Sequence, residues 1–124
     1  VKATPDKGVM RWLGGVRREE TFISVISLQE IRTGIELSPA GRKRNDLEYW
    51  LVNEINRSYS GRILPVTLQI ADLCGKLIAQ RRKASETPGI NDCLLAATAL
   101  VHGLSVATLN RKHFERLGVE LVDF

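Results

Sequence analysis

Histidine and cysteine are scarce, with two of each in 124 residues. Scattered as Cys74, Cys93, His102 and His113, they lack the ligand spacing of a zinc site. Both cysteines fall inside apolar helical patterns and read as reduced core thiols in a reducing compartment. Neither histidine accompanies a serine in a strained elbow, which argues against a Ser-His-Asp hydrolase. A phosphate-cradling loop is missing too: Gly14-Gly15 follows a helical pattern rather than a strand, and no Lys-Ser/Thr comes after it. No apolar run is long enough to span a bilayer, and the amino end lacks a signal-peptide apolar region. The chain therefore reads as soluble and cytoplasmic, with no membrane partner.

What remains is one domain, residues 1–124, with 44% hydrophobic residues and enough length for a proper core. A net charge of +4 favours a polyanionic partner without establishing one. Thr4-Pro5-Asp6 opens a helix whose stripe is Val9, Trp12 and Leu13, stopped at Gly14-Gly15. Thr21–Ile26 reads as a strand covered on both faces, and Ser27 as the cap of a helix over Leu28–Leu37. After the break at Ser38–Gly41 comes the basic run Arg42-Lys43-Arg44. A third helix, Asp46 to about Tyr59, follows and buries Leu47, Trp50, Leu51 and Ile55. Arg62–Val66 is a short strand, confined by Pro65 to an edge or a strand end. Thr67 caps a helix carrying Ile70, Leu73, Cys74, Leu77 and Ile78, which ends in Arg81-Arg82-Lys83.

The last third is the most informative. From Ile90 the pattern is a broad apolar helix in which Ala96-Ala97-Thr98-Ala99 keeps one surface thin, so that another element packs close. His102-Gly103 ends it. Leu104–Thr108 and Val119–Val122 read as strands on either side of a short basic helix, Arg111–Leu117, an order that implies a right-handed parallel crossover. In such sheets the crevice lies beyond the carboxyl ends of the strands. Asn110 should lie near it, and Asp92, in the first turn of the preceding helix, can face it.

Each acid has an ordinary explanation. Asp92 at a helix start gains about 0.3 to 1 kcal/mol from the macrodipole with no further role. Glu30, three residues after Ser27, completes a capping box. Two acids at two strand-to-helix junctions of one parallel sheet can also converge, and a converging pair suggests metal ligands. His113, in an exposed basic stretch, reads as a solvated side chain, with a general base as the alternative.

Three segments carry a resemblance: Ile23-Ser-Val-Ile-Ser-Leu-Gln-Glu-Ile-Arg-Thr-Gly-Ile-Glu, Ile90-Asn-Asp-Cys-Leu-Leu-Ala-Ala-Thr-Ala and Gly103-Leu-Ser-Val-Ala-Thr-Leu-Asn-Arg-Lys-His-Phe. Together with Arg62-Ile-Leu-Pro65 they resemble the PIN-domain nucleases, and among them the VapC-type toxins of toxin-antitoxin pairs, close to the FitB-like branch. The resemblance implies a three-layer α/β/α domain with a parallel sheet, usually a homodimer. It implies Mg²⁺- or Mn²⁺-dependent cleavage of RNA, inhibited by a tightly bound VapB-like antitoxin. Asp92 matches the family's helix-start metal-binding aspartate and Glu30 the glutamate opening the helix after the second strand. Asn110 stands where some members carry a further Asp, and Leu109 and Asp123-Phe124 depart from frequent residues. The family's first aspartate ends an amino-terminal strand that would precede Val1. The chain therefore reads as a PIN domain lacking its first central strand, and as impaired or inactive in that form.

Under this reading Asp92 and the absent first aspartate hold the metal, Glu30 orients it or binds it through water, Asn110 positions a water ligand, and Arg42, Lys43, Arg44, Arg111 and Lys112 track the RNA backbone or are ordinary surface charge. Two rivals stay open. One is a non-catalytic PIN-like module for dimerisation or antitoxin binding. The other is a receiver-like enzyme with Asp92 as phosphoacceptor, which lacks a strand-end acid and a partner lysine.

Overall fold

The computed structural model describes residues 14–124. The helix expected from Thr4, with Val9, Trp12 and Leu13 on its stripe, lies outside the described residues. Gly14 and Gly15 have helical backbone, which ends before Val16.

A 3-10 turn, Arg18–Glu20, leads to β1 (Ile23–Ser24), and α1 (Val25–Leu37) follows at once. The strand expected over Thr21–Ile26 is therefore cut short. Ser24 keeps extended backbone, φ −86° and ψ 147°, and its Oγ accepts a hydrogen bond from the Ile26 amide at 3.0 Å. This cap outweighs the weak extended preference of Val25 and Ile26, which become the first turn of the helix. The expected capping box of Ser27 and Glu30 does not form, and Glu30 sits in the second turn instead of opening the helix.

The next helix begins at the basic run rather than at Asp46. α2 (Arg42–Tyr49) passes through a π-helical stretch, Trp50–Glu54, into α3 (Ile55–Ser58). Wider turns rotate the apolar stripe part-way along, so Ile55 is buried while Leu47, Trp50 and Leu51 are only half-buried. β2 (Ile63–Leu64) pairs in parallel with β1, Ile23 opposite Ile63 and Ser24 opposite Leu64. Arg62 ties this corner together. Its guanidinium donates to the carbonyls of Arg18 at 2.8 Å and Thr21 at 2.6 Å, and to that of Ser58, and it lies 5.0 Å over the Tyr59 ring.

α4 (Leu68–Lys83) is capped by Thr67, whose Oγ1 accepts from the Ile70 amide at 3.2 Å, as the sequence indicates. α5 (Ile90–His102) ends at Gly103, left-handed with φ 65°. Among the described residues these two helices form the most extensive contact between elements. Ile70, Cys74 and Leu77 meet the thin face of Cys93, Ala96 and Ala97, and Phe114 and Leu117 close the cluster. Both thiols are free and buried, and burial pushes their pKa values up; Cys74 and Asp92 add to the effect at Cys93.

The strands expected over Leu104–Thr108 and Val119–Val122 shrink to one parallel bridge, Val106 to Leu121. Val106 donates to the Glu120 carbonyl at 2.9 Å and accepts from the Val122 amide at 3.0 Å. A cavity of about 350 Å³ separates the two strand pairs, with Ile23 and Ser24 on one side and Ser105, Val106, Ala107 and Thr108 on the other. Among the described residues each pair thus has a single ladder, and a lone parallel ladder sustains little regular strand. Among the described residues no helix is long and apolar enough to cross a membrane.

Candidate active site

Asp92 is the third residue of α5, whose N-cap, Gly89, offers no side chain to the helix. Gly89 has φ −69° and ψ 135°, a conformation open to any residue, so glycine is not required there by the backbone. Space is another matter: a Cβ on Gly89 would lie 3.0 Å from Asp92 Oδ2 and 3.6 Å from its Cγ. The carboxylate thus folds back over the place where any other residue would carry a Cβ atom. Among the described residues it accepts no hydrogen bond from the helix amides, as a capping acid would. The Asp92 side chain is 25% exposed, and its partner is His113, whose Nδ1 lies 3.4 Å from Oδ2.

Glu30 projects from α1 and has no ion-pair partner among the described residues. The preceding residue, Gln29, accepts a hydrogen bond through Oε1 from Asn91 Nδ2 at 3.4 Å, which links α1 to the first turn of α5. On the third side, the chain leaving the Val106 bridge turns at Thr108, whose Oγ1 accepts from the Asn110 amide at 3.0 Å. The Asn110 carbonyl then accepts from the His113 amide at 3.1 Å and opens a 3-10 turn, Arg111–His113. Glu30, Asp92, Asn110 and His113 consequently line one cavity of about 590 Å³.

Among the described residues no three His, Cys, Asp or Glu side chains form a group able to hold a metal. The donor set is two carboxylates, one amide and one imidazole. Mg²⁺ is commonly bound through one or two carboxylates, with waters and substrate phosphate in its other positions. The residues present fit that mode of binding, and the missing Cβ of Gly89 leaves the Asp92 oxygens accessible for it.

The basic residues divide. Lys112 lines an adjoining cavity of about 420 Å³ with Arg81, Glu86, Asp92, His113 and Arg116. Glu86 there pairs with Arg116 and, at 3.3 Å, with Arg81; the Arg116 hydrogen bond is the main reason its carboxyl sits below the usual glutamate range. Arg111 is turned to the carboxyl end, donating to the Val122 carbonyl at 2.8 Å and pairing with Asp123 at 3.6 Å. Arg44 holds Glu36 at 2.8 Å and the Ser38 carbonyl at 3.3 Å. None of Arg42, Lys43 or Arg44 lines the cavity around Asp92.

His113, which the sequence presents as a solvated side chain with a general base as the alternative, is brought beside Asp92. A signal for it exists. Residues at i and i+3 eclipse in a 3-10 turn, so a turn that starts at Asn110 carries His113 to the same face. Gly89 ends the loop before α5, and its nearness to the Asp92 carboxylate shows only in the coordinates.

The PIN domain family model matches residues 5–120. The chain belongs to the PIN-domain family. It is 33% identical over 122 residues to the VapC ribonuclease Y4jK of Sinorhizobium fredii, covering 98% of this chain and 87% of that protein. Toxin FitB of Neisseria gonorrhoeae is 30% identical over 114 residues, covering 92% and 82%. The crystal structure of FitAcB from the same organism superposes with a TM-score of 0.87 at 29% identity, covering 98% of this chain and 88% of that one. The fold is therefore the PIN α/β fold, with helices around a small parallel sheet.

Proposed function

We propose that this PIN domain is the nuclease toxin of a toxin-antitoxin pair, hydrolysing RNA phosphodiester bonds with a divalent cation, Mg²⁺ or Mn²⁺, held by Asp92 and Glu30. One observation carries the reading. Two carboxylates from distant parts of the chain, neither neutralised by a lysine or arginine among the described residues, face one cavity with an amide beside them. Left alone, such a pair repels a phosphodiester. A bound divalent cation supplies neutralisation of the phosphoryl oxygens and acidifies water. The protein's own part is positional. Asp92 is fixed by the first turn of α5, Glu30 approaches from α1, and Thr108 holds the backbone amide of Asn110, whose side-chain amide orients a water or a phosphate oxygen. Lys112, beside Asp92 in the adjoining cavity, is the basic residue best located to meet the RNA backbone. Arg42, Lys43, Arg44 and Arg111 would meet it only at a distance from the cleaved bond.

The names of the relatives support the same reading. Y4jK is a VapC ribonuclease and FitB a toxin, and one solved structure is of FitAB bound to a DNA fragment. The partners expected here are accordingly a VapB-like antitoxin and a second copy of the chain.

The test is cleavage of a labelled RNA with Mg²⁺ or Mn²⁺ by wild type and Asp92→Asn. The variant keeps the volume of the side chain and removes its charge. Cleavage should fall by about two orders of magnitude or more and should stop in chelator. Equal cleavage by Asp92→Asn, or cleavage that persists in chelator, would leave the non-catalytic binding module as the better account.

A further inference from the structure

We propose that the cavity adjoining that of Asp92 is a subsite for one phosphate of the substrate, belonging to a nucleotide that flanks the cleaved bond, and that Lys112 and Arg116 together hold it. The inference rests on the nuclease reading above and adds to it the direction in which the RNA leaves the cleaved bond.

Continuity comes first. The cavity of about 420 Å³ shares Gly89, Asp92 and His113 with the one that the two carboxylates line. A strand with its cleaved phosphate at Asp92 can extend directly into it. On the Glu30 side the neighbouring cavity is walled by Ile31, Ile35 and Leu47 and carries no basic residue. A phosphodiester backbone follows the cations.

Charge and free donors come next. Arg81, Lys112 and Arg116 face Glu86 and Asp92 across the adjoining cavity, three cations against two carboxylates. The one positive charge left over matches the single charge of a phosphodiester. Lys112 is exposed and has no hydrogen-bond or ion-pair partner among the described residues. Glu86 occupies only one nitrogen of each guanidinium, Nη1 of Arg116 through Oε1 and Nη1 of Arg81 through Oε2 at 3.3 Å. A guanidinium carries five N–H donors in a flat fork. Arg116 thus keeps an edge for phosphate oxygens while Glu86 holds the other, the arrangement that favours bidentate contact.

The backbone explains why these groups meet. Ser85 is left-handed with φ 62°, and the amides of Ser85 and Glu86 donate to the carbonyls of Arg82 and Arg81, both at 2.9 Å. This pair of bonds is the Schellman end of α4, and it turns Glu86 back toward Arg81. Arg116 is carried between Phe114 and Leu117, both buried. Its backbone is fixed from beneath while its side chain, 71% exposed, reaches outward to Glu86.

Binding of a labelled single-stranded RNA in chelator, followed by fluorescence anisotropy across a range of salt, is measured beside steady-state cleavage with Mg²⁺. The proteins are wild type, Lys112→Ala, Arg116→Ala, the double variant, and Lys43→Ala as an exposed control outside the cavity. Each single variant should bind about fivefold more weakly. KM should rise by the same factor with kcat kept within about twofold, because a flanking phosphate is held alike in the ground and transition states. The double variant should reduce the slope of log affinity against log salt by about 0.7, the share of one phosphate on a single strand. Lys43→Ala should stay close to wild type. A reduction of about twice that size assigns the two side chains to separate phosphates and overturns the shared subsite. So does a double variant indistinguishable from Lys43→Ala, or a loss confined to kcat; in each case cleavage by wild type leaves the nuclease reading standing. A wild type that does not cleave RNA overturns that reading, and the subsite with it.

Discussion

Replacing Gly89 by alanine separates what α5 needs from what its first acid needs. At φ −69° and ψ 135° alanine fits without strain, and the loss of unfolded-state freedom stabilises the fold by about 0.4–1 kcal/mol. Alanine is a poorer N-cap than glycine, which costs about half a kcal/mol. The two effects nearly cancel, so the melting temperature should move by no more than about 3 °C. The carboxylate does not escape so lightly. The new methyl would sit 3.0 Å from Oδ2, inside ordinary contact distance, and the cheapest relief is rotation of the Asp92 side chain. Ligands have to be held within about 0.5 Å of their working position, so cation affinity should fall by about tenfold and RNA cleavage with it. Scanning calorimetry of the cation-free protein, Mn²⁺ titration and an RNA cleavage assay on one preparation give the three readings. Gly89→Ser sharpens the contrast. Its hydroxyl can cap the helix and raise stability by up to about 1 kcal/mol, while its Cβ crowds Asp92 as alanine does. Unchanged affinity and cleavage in both variants would refute the argument. So would a stability loss above about 2 kcal/mol, which would make Gly89 a residue of the fold and not of the site.

Two further outcomes follow from the ion pairs and hydrogen bonds. Arg62→Ala removes a half-buried guanidinium that donates to the carbonyls of Arg18, Thr21 and Ser58; urea unfolding should show a loss of about 2–3 kcal/mol. Arg62→Lys should recover less than half of it, because one ammonium cannot span the three acceptors, and a loss below about 0.5 kcal/mol in the alanine variant would contradict the reading. Glu86 has a folded pKa below its ordinary value of 4.5, held there first by the Arg116 hydrogen bond and further by the charges of Arg116 and Arg81. A depressed carboxylate pKa stabilises the fold above the unfolded value and stops doing so as pH falls through the folded one. The difference in thermal stability between wild type and Glu86→Gln should therefore be full near pH 6 and shrink below about pH 4.5; a difference constant down to pH 3 would go against it.

The helices were legible in the sequence wherever one side of a helix had to be apolar and its ends were marked. Thr67 and Gly103 cap as their chemistry predicts, and the thin Ala96–Ala99 face is where α4 approaches. The strands were less so. Val25 and Ile26 have strand-forming side chains yet begin α1, because Ser24 supplies a cap that local propensity does not anticipate. That shift of three residues took the capping explanation away from Glu30. The site was legible in part. Asp92, Glu30 and Asn110 line one cavity, but the expected strand-to-helix junction holds only for Glu30, which follows β1; Asn110 follows the isolated Val106 bridge, and Asp92 starts a helix that follows α4 through a loop and no strand. Gly89 was not legible, since it matters through a distance to Asp92 that no spacing in the chain encodes, and the approach of His113 to Asp92 was signalled only by its place three residues after Asn110.

The site does not depend on the sheet as much as the topology implies. Asp92 rides on α5, whose Cys93, Ala96, Ala97, Thr98 and Ala99 are all buried and which packs along α4. Asn110 and His113 belong to a turn pinned by buried Phe114. Glu30 is carried differently. Among the described residues α1 buries only Ile35, well beyond Glu30 along the helix, and the polar link from α1 to α5 is the 3.4 Å contact between Asn91 and Gln29. Asp92, Asn110 and His113 therefore form one wall of the cavity through α5 and the turn before Phe114, while Glu30, exposed on α1, forms the facing wall from an element that α5 meets separately.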